Sequence, residues 1–127
     1  MATDMQLISD VTFEAAGDLS AKQFHFVKLS AANTVTACTA TTDNAIGILQ
    51  NKPSAAGRPA VVRVFGISKA VASGAISLGA LIATEADAEV GVPATNDPVL
   101  GKALDAASAQ GEVIKVLINC VNPYISA

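Results

Sequence analysis

Apolar positions in this chain cluster in short β-branched runs bounded by Gly, Pro, Asn and Asp, and a helical period is hard to find. That punctuation predicts an all-β fold. The first run, Gln6 to Phe13, precedes a turn at Gly17-Asp18, and Gln23 to Leu29 follows as the clearest early strand, broken at Asn33. Thr34 to Thr39 resumes β character. Thr42-Asp43-Asn44 ends it, because these side chains can hydrogen-bond their own backbone, and a hairpin is expected there. Ala45 to Gln50 reads as a short buried strand, after which Pro53 and Pro59 keep the intervening loop out of any ladder. The longest strand runs from Ala60 to Val71, with Gly66 in its middle as a bulge or bend that lets a sheet curl. Ala80 to Thr84, Ala88 to Val92, Val99 to Leu104 and Val113 to Ile118 complete the set. In the last, Ile114, Val116 and Ile118 share one face by the two-residue period.

A faint internal repeat accompanies these strands. Ile46-Gly47 and Leu100-Gly101 are each followed by a second glycine, Gly57 and Gly111, that leads into a strand, Val61-Val62-Arg63-Val64 and Val113-Ile114-Lys115-Val116. Two equivalent hairpins in a pseudo-symmetric barrel would produce this pattern, and so would ordinary hairpins of similar length.

The start of the chain has its own character. Met5, Leu7, Ile8 and Val11 are too apolar for a free tail, while Thr3, Asp4, Ser9 and Asp10 keep the segment soluble. Leu7 and Ile8 would point in opposite directions in an extended chain, which suits a strand covered on both sides. Residues 1–11 are therefore expected to form an extended arm beside a β-barrel or β-sandwich domain of residues 12–127. Met5, Leu7, Ile8 and Val11 are its candidate contacts with a partner. An ordinary first strand of the barrel's own sheet explains the same residues.

The length, 127 residues, fits one domain. Only 15% of residues are charged against 51% hydrophobic, so Ala, Ser, Thr and Asn must cover much of the surface. Such a surface is dehydrated cheaply when it packs against another protein, which favours assembly and a small oligomer. The net charge of −3, with eight Lys+Arg and eleven Asp+Glu scattered singly, offers no basic stripe for nucleic acid. No membrane span and no signal peptide are expected, which points to synthesis in a cytoplasm. Cys38 and Cys120 lie far apart and form no CxxC pair, so two buried free thiols are favoured over a disulfide.

Groups for catalysis are scarce. His25, the one histidine, is flanked by Phe24 and Phe26 and reads as a partly buried residue with a local hydrogen bond. Glu85, Asp87 and Glu89 resemble a fragment of a calcium loop but lack its turn glycine and its final glutamate, so a solvated hairpin tip is expected. Neither a phosphate-binding glycine loop nor a nucleophile motif occurs. No catalytic residue, cofactor or metal is assigned, and a cryptic enzyme would need clustered carboxylates or a deep pocket to be entertained.

Taken together, Gly17-Asp18-Leu19-Ser20-Ala21-Lys22-Gln23-Phe24, Phe26-Val27-Lys28-Leu29, Ala45 to Pro53, Val62-Arg63-Val64-Phe65-Gly66 and Leu100-Gly101-Lys102-Ala103-Leu104 resemble the small capsid decoration, or cement, proteins of tailed bacteriophages. The resemblance runs from about Gln6 to Ile118. It departs at Gly79-Ala80, where an acidic residue would follow the turn glycine, and in the extension Asn119 to Ala127. It implies a β-barrel or β-sandwich subunit on the outside of the mature head that bridges major capsid subunits, most often as a trimer, with no catalytic residues. A different virion component, such as a head-fibre base, a tail module or an adhesin-like module, would suit the same composition.

Overall fold

The computed structural model describes residues 8–121 and 124–126, which form eleven strands and no helix. They are β1 (Ser9–Ala15), β2 (Phe26–Ala31), β3 (Thr34–Ala37), β4 (Ala45–Leu49), β5 (Pro59–Val71), β6 (Leu81–Thr84), β7 (Val90–Gly91), β8 (Pro98–Val99), β9 (Gly101–Ala103), β10 (Val113–Asn119) and β11 (Tyr124–Ile125). The all-β expectation holds. The order β1-β3-β2-β4-β5 closes on itself through a β1–β5 pairing, which makes a five-stranded barrel, and β10-β9-β6-β7 continues the sheet from β5. Closure removes the exposed edges that an open sheet would present to other chains.

β5 joins the two parts. Its first half pairs with β1, from Glu14↔Pro59 to Ser9↔Phe65, and with β4 at Ile48↔Arg63 and Leu49↔Val62. From Phe65 onward β10 takes over, Asn119 standing opposite Phe65 and Val113 opposite Val71. The change of partner coincides with Gly66 at φ 113, a left-handed conformation that glycine adopts without a Cβ penalty. The register to β10 runs unbroken through Gly66, whereas the register to β1 shifts between Ser9↔Phe65 and Asp10↔Arg63, so the irregularity expected here falls at Val64 on the β1 side.

Alternate residues of β5, and Ala72 just beyond its end, feed two cores. Ala60 and Val62 pack inside the barrel with Ala15, Leu19, Val27, Val35 and Leu49. Ala70 and Ala72 enter a second cluster with Phe26, Ile48, Ile82, Ile114, Val116 and Ile118. β2 and β4 lie between the clusters: Phe26 and Ile48 face one, Val27 and Leu49 the other, all fully buried. Burying each such side chain stabilises the fold by roughly 1.5–3 kcal/mol.

Several expectations shift. The second strand begins at Phe26, because Phe24 takes φ 65 and Lys22 N donates to Leu19 O in a turn. The two repeated hairpins exist as β4–β5 and β9–β10, but only the first belongs to the barrel. Gly57 (φ 83) and Gly111 (φ 91) serve both as turn residues. The boundary expected at Val11 falls inside β1, since Ser9, Asp10 and Val11 pair with β5; residues 1–7 lie outside the described residues. The C-terminal extension adds β11, which pairs with β8 at Tyr124↔Val99.

Candidate functional site

The alternation along β10 separates a buried row, Ile114, Val116 and Ile118, from an outward row, Val113, Lys115, Leu117 and Asn119. The buried row is the one expected from the sequence. Half of the outward row is apolar, where a solvated sheet face would normally be polar throughout. Val113 is 54% exposed and Leu117 42%. Strand register extends this face sideways: Leu117 stands opposite Ile67 on β5 and Lys102 on β9, and Lys102 stands opposite Leu81 on β6. Leu81 and Tyr124 are exposed as well.

Three depressions open on this face. The largest, about 580 Å³, lies where β5 leaves the barrel and includes Phe24, Arg63, Ile67, Lys69, Val113 and Lys115 in its lining. A second, about 260 Å³, is lined by Phe65, Lys102, Leu117 and Asn119, and a third, about 360 Å³, by Leu81, Lys102, Asn119 and Tyr124 among others. The last two share Gly101. A Cβ there would strike the Leu117 carbonyl and the Ile118 Cα, so only glycine lets β9 approach β10 this closely.

Lysines punctuate the apolar surface. Lys69 and Lys115 stand directly opposite each other on β5 and β10. Among the described residues the ion pairs are Arg63–Asp10 at 2.8 Å, Lys28–Asp43 at 2.9 Å and His25–Glu89 at 3.9 Å, so Lys69, Lys102 and Lys115 are in none. Lys69 instead leans over the Phe24 ring, its Nζ 5.8 Å from the centroid.

The other candidates resolve differently. His25 is buried, with Nδ1 3.0 Å from Gln23 O, the local hydrogen bond expected of it. Glu85, Asp87 and Glu89 form the β6–β7 hairpin tip, closed by Glu85 N donating to Glu89 O at 2.8 Å. Burial raises the Glu89 carboxyl, a hydrogen bond from Gln110 lowers it, and Asp87 adds to the rise, which prevails. No group of three or more His, Cys, Asp or Glu among the described residues could hold a metal. Cys38 and Cys120 are free thiols in the second core, and burial pushes each up to about 12.

Met5 and Leu7 lie outside the described residues. Ile8 and Val11 are 40% and 41% exposed, and Val11 stands opposite Val62 at the rim of the barrel core. Ser9 stands opposite Phe65, so the start of β1 reaches the margin of the apolar face. The face itself escaped the sequence reading. Its one legible trace was that Val113 and Leu117 alternate with the buried row and are themselves apolar.

Residues 3–118 match the sequence model of a phage cement protein family. The chain belongs to that family. It is accordingly a structural protein of the phage virion. Among solved structures, the head fibre gp8.5 N base of bacteriophage phi29 has a similar fold, with a TM-score of 0.61, 17% sequence identity, and coverage of 90% of this chain and 96% of that chain. No curated protein matches. For a cement protein, an apolar sheet face carrying unpaired lysines is a surface suited to docking, since apolar area supplies affinity and charge supplies orientation.

Proposed function

We propose that this cement protein binds the outside of the expanded phage capsid and stabilises the shell by bridging neighbouring major capsid subunits. The family match over residues 3–118 carries the reading. The physics is linkage: a protein that binds only the expanded lattice, across subunit boundaries, stabilises that lattice by its binding free energy. Trimerisation would present several weak contacts at once, and their effective concentration would multiply the affinity of each. Residues 1–8, ahead of β1, would act as an arm, with Met5, Leu7 and Ile8, and Val11 exposed on β1, making contacts to the capsid or to a neighbouring copy beside the apolar face. Synthesis in the host cytoplasm would precede assembly.

Expanded shells lacking the protein provide the test. Adding the purified protein is expected to raise their thermal dissociation temperature in a saturable way. Shells that dissociate at the same temperature with and without it would contradict the bridging role.

A second reading, a head-fibre base, is favoured by the fold likeness to the phi29 head fibre base. It predicts that a further fibre protein co-purifies on the decorated particle, whereas a plain cement protein would be the outermost layer.

A further inference from the structure

We infer that the groove under Lys69, Lys115 and Phe24 receives a carboxylate-bearing extended segment of the shell protein. The inference rests on the capsid-docking reading above and names the place and chemistry of one contact. Ala72 N donates to Glu112 O at 2.8 Å and Cys120 N to Val64 O at 3.1 Å. Even-numbered residues of β5 thus carry the ladder to β10, and Lys69–Lys115 falls on a non-hydrogen-bonded pair, where opposed side chains come closest. Like charges in that position destabilise a sheet. Arg63, the third cation of the groove, already has its charge paired: it binds both Asp10 oxygens, at 2.8 and 3.1 Å, and donates to Ile67 O at 2.8 Å. The two lysines have no such partner. Asp105, the one carboxylate in the lining, accepts from Lys115 N at 3.0 Å and is in no ion pair with either ammonium group.

Phe24 shapes the same groove. A bulky residue at φ 65 is strained, and it is held there by packing against the second core, by Phe24 N donating to Leu49 O at 2.7 Å and by Val71 N donating to Phe24 O at 3.2 Å. Here it sets an aromatic ring beneath Lys69 in the wall of the groove. Two unpaired ammonium groups above apolar walls of Phe24, Ile67 and Val113 complement a segment that alternates acidic and apolar side chains. A nucleic-acid backbone fits less well, because it needs many cations in a row and would meet a molecule of net charge −3.

The double variant Lys69→Gln/Lys115→Gln tests this on the full chain with expanded capsids of the parent phage stripped of the protein. Both side chains are exposed, so the variant is expected to fold and to melt at or above the wild-type temperature. Its affinity for the shells is expected to fall about tenfold, with a flatter dependence on salt. Lys52→Gln, outside the groove, should bind as wild type does. If the wild-type protein binds shells and the double variant binds equally well with the same salt dependence, the groove assignment is overturned and the docking reading stands. If the wild-type protein fails to bind shells, both fall. Loss of duplex-DNA binding with retained shell binding would make the occupant a nucleic acid and overturn the assignment.

Discussion

Gly47 and Gly101 do the same work in the two hairpins. A Cβ on Gly47 would meet the Arg63 carbonyl, and one on Gly101 the Leu117 carbonyl, and neither backbone can move aside without disturbing a ladder. Gly101→Ala is expected to destabilise the fold by roughly 1–3 kcal/mol in urea unfolding, the usual effect of overpacking. Gly57→Ala has open space and only its φ of 83 against it, so about 1 kcal/mol is expected there. Equal midpoints for Gly101→Ala and wild type would contradict the close approach. The glycines were legible as a repeat in the sequence, but their reason was not, because it lies in a neighbouring strand's carbonyl. The thiols are buried and free, the reading that the sequence favoured over a disulfide. Burial raises both from an ordinary 9.0 to about 12, so the folded state holds them protonated while the unfolded state would release protons earlier. Stability from this source is complete below about pH 9 and is lost as pH rises towards 12. Alkylation at pH 8 should label neither thiol until the protein unfolds; rapid labelling of the native protein would refute the burial.

At the scale of elements, the turn between β3 and β4 was legible, but the hairpin expected there is not formed, because β3 and β4 both pair with β2, which lies between them. Asp43 Oδ2 accepts from Thr39 N at 2.8 Å and Ala40 N at 3.0 Å and pairs with Lys28 at 2.9 Å. Burial alone would raise this carboxyl, yet these bonds outweigh it and hold it below its ordinary 3.8. A depressed carboxylate stabilises the fold above its ordinary pKa, and that stability is lost as pH falls through the lower folded value. Asp43→Ala is expected to lose about 1–3 kcal/mol at neutral pH and to lessen the acid dependence of unfolding; an unchanged acid limb would remove Asp43 from the account. Long-range elements were only half legible. The alternation of Val113 to Asn119 marked its buried row, and Gly66 marked the place where β5 changes partner. Nothing local could reveal that Lys69 faces Lys115, because register between distant strands is fixed by the whole barrel. For the same reason Phe24 was read as a strand residue, although the tertiary setting holds it at positive φ.

On the scale of the whole molecule, the proposed role divides stability, supplied by a closed barrel, from docking, assigned to an open, lysine-bearing sheet face. Arg63–Asp10 ties β1 to β5, and Ser9–Ala15 is part of the barrel, so removal of residues 1–8 leaves that strand whole. The truncated protein is expected to melt within a few degrees of the full chain and to bind expanded shells more weakly; collapse of its fold would place the removed residues in the core. Sedimentation at micromolar concentration is expected to give a trimer, and a strict monomer both free and on the particle would count against assembly through several contacts. The central claim is tested most directly by electron cryomicroscopy of expanded capsids reconstituted with the purified protein. The account predicts density for the barrel on the outer surface, straddling boundaries between major capsid subunits with the β6–β9–β10 face turned to the shell. Density confined to the middle of single subunits, or bare capsids at saturating protein, would contradict it.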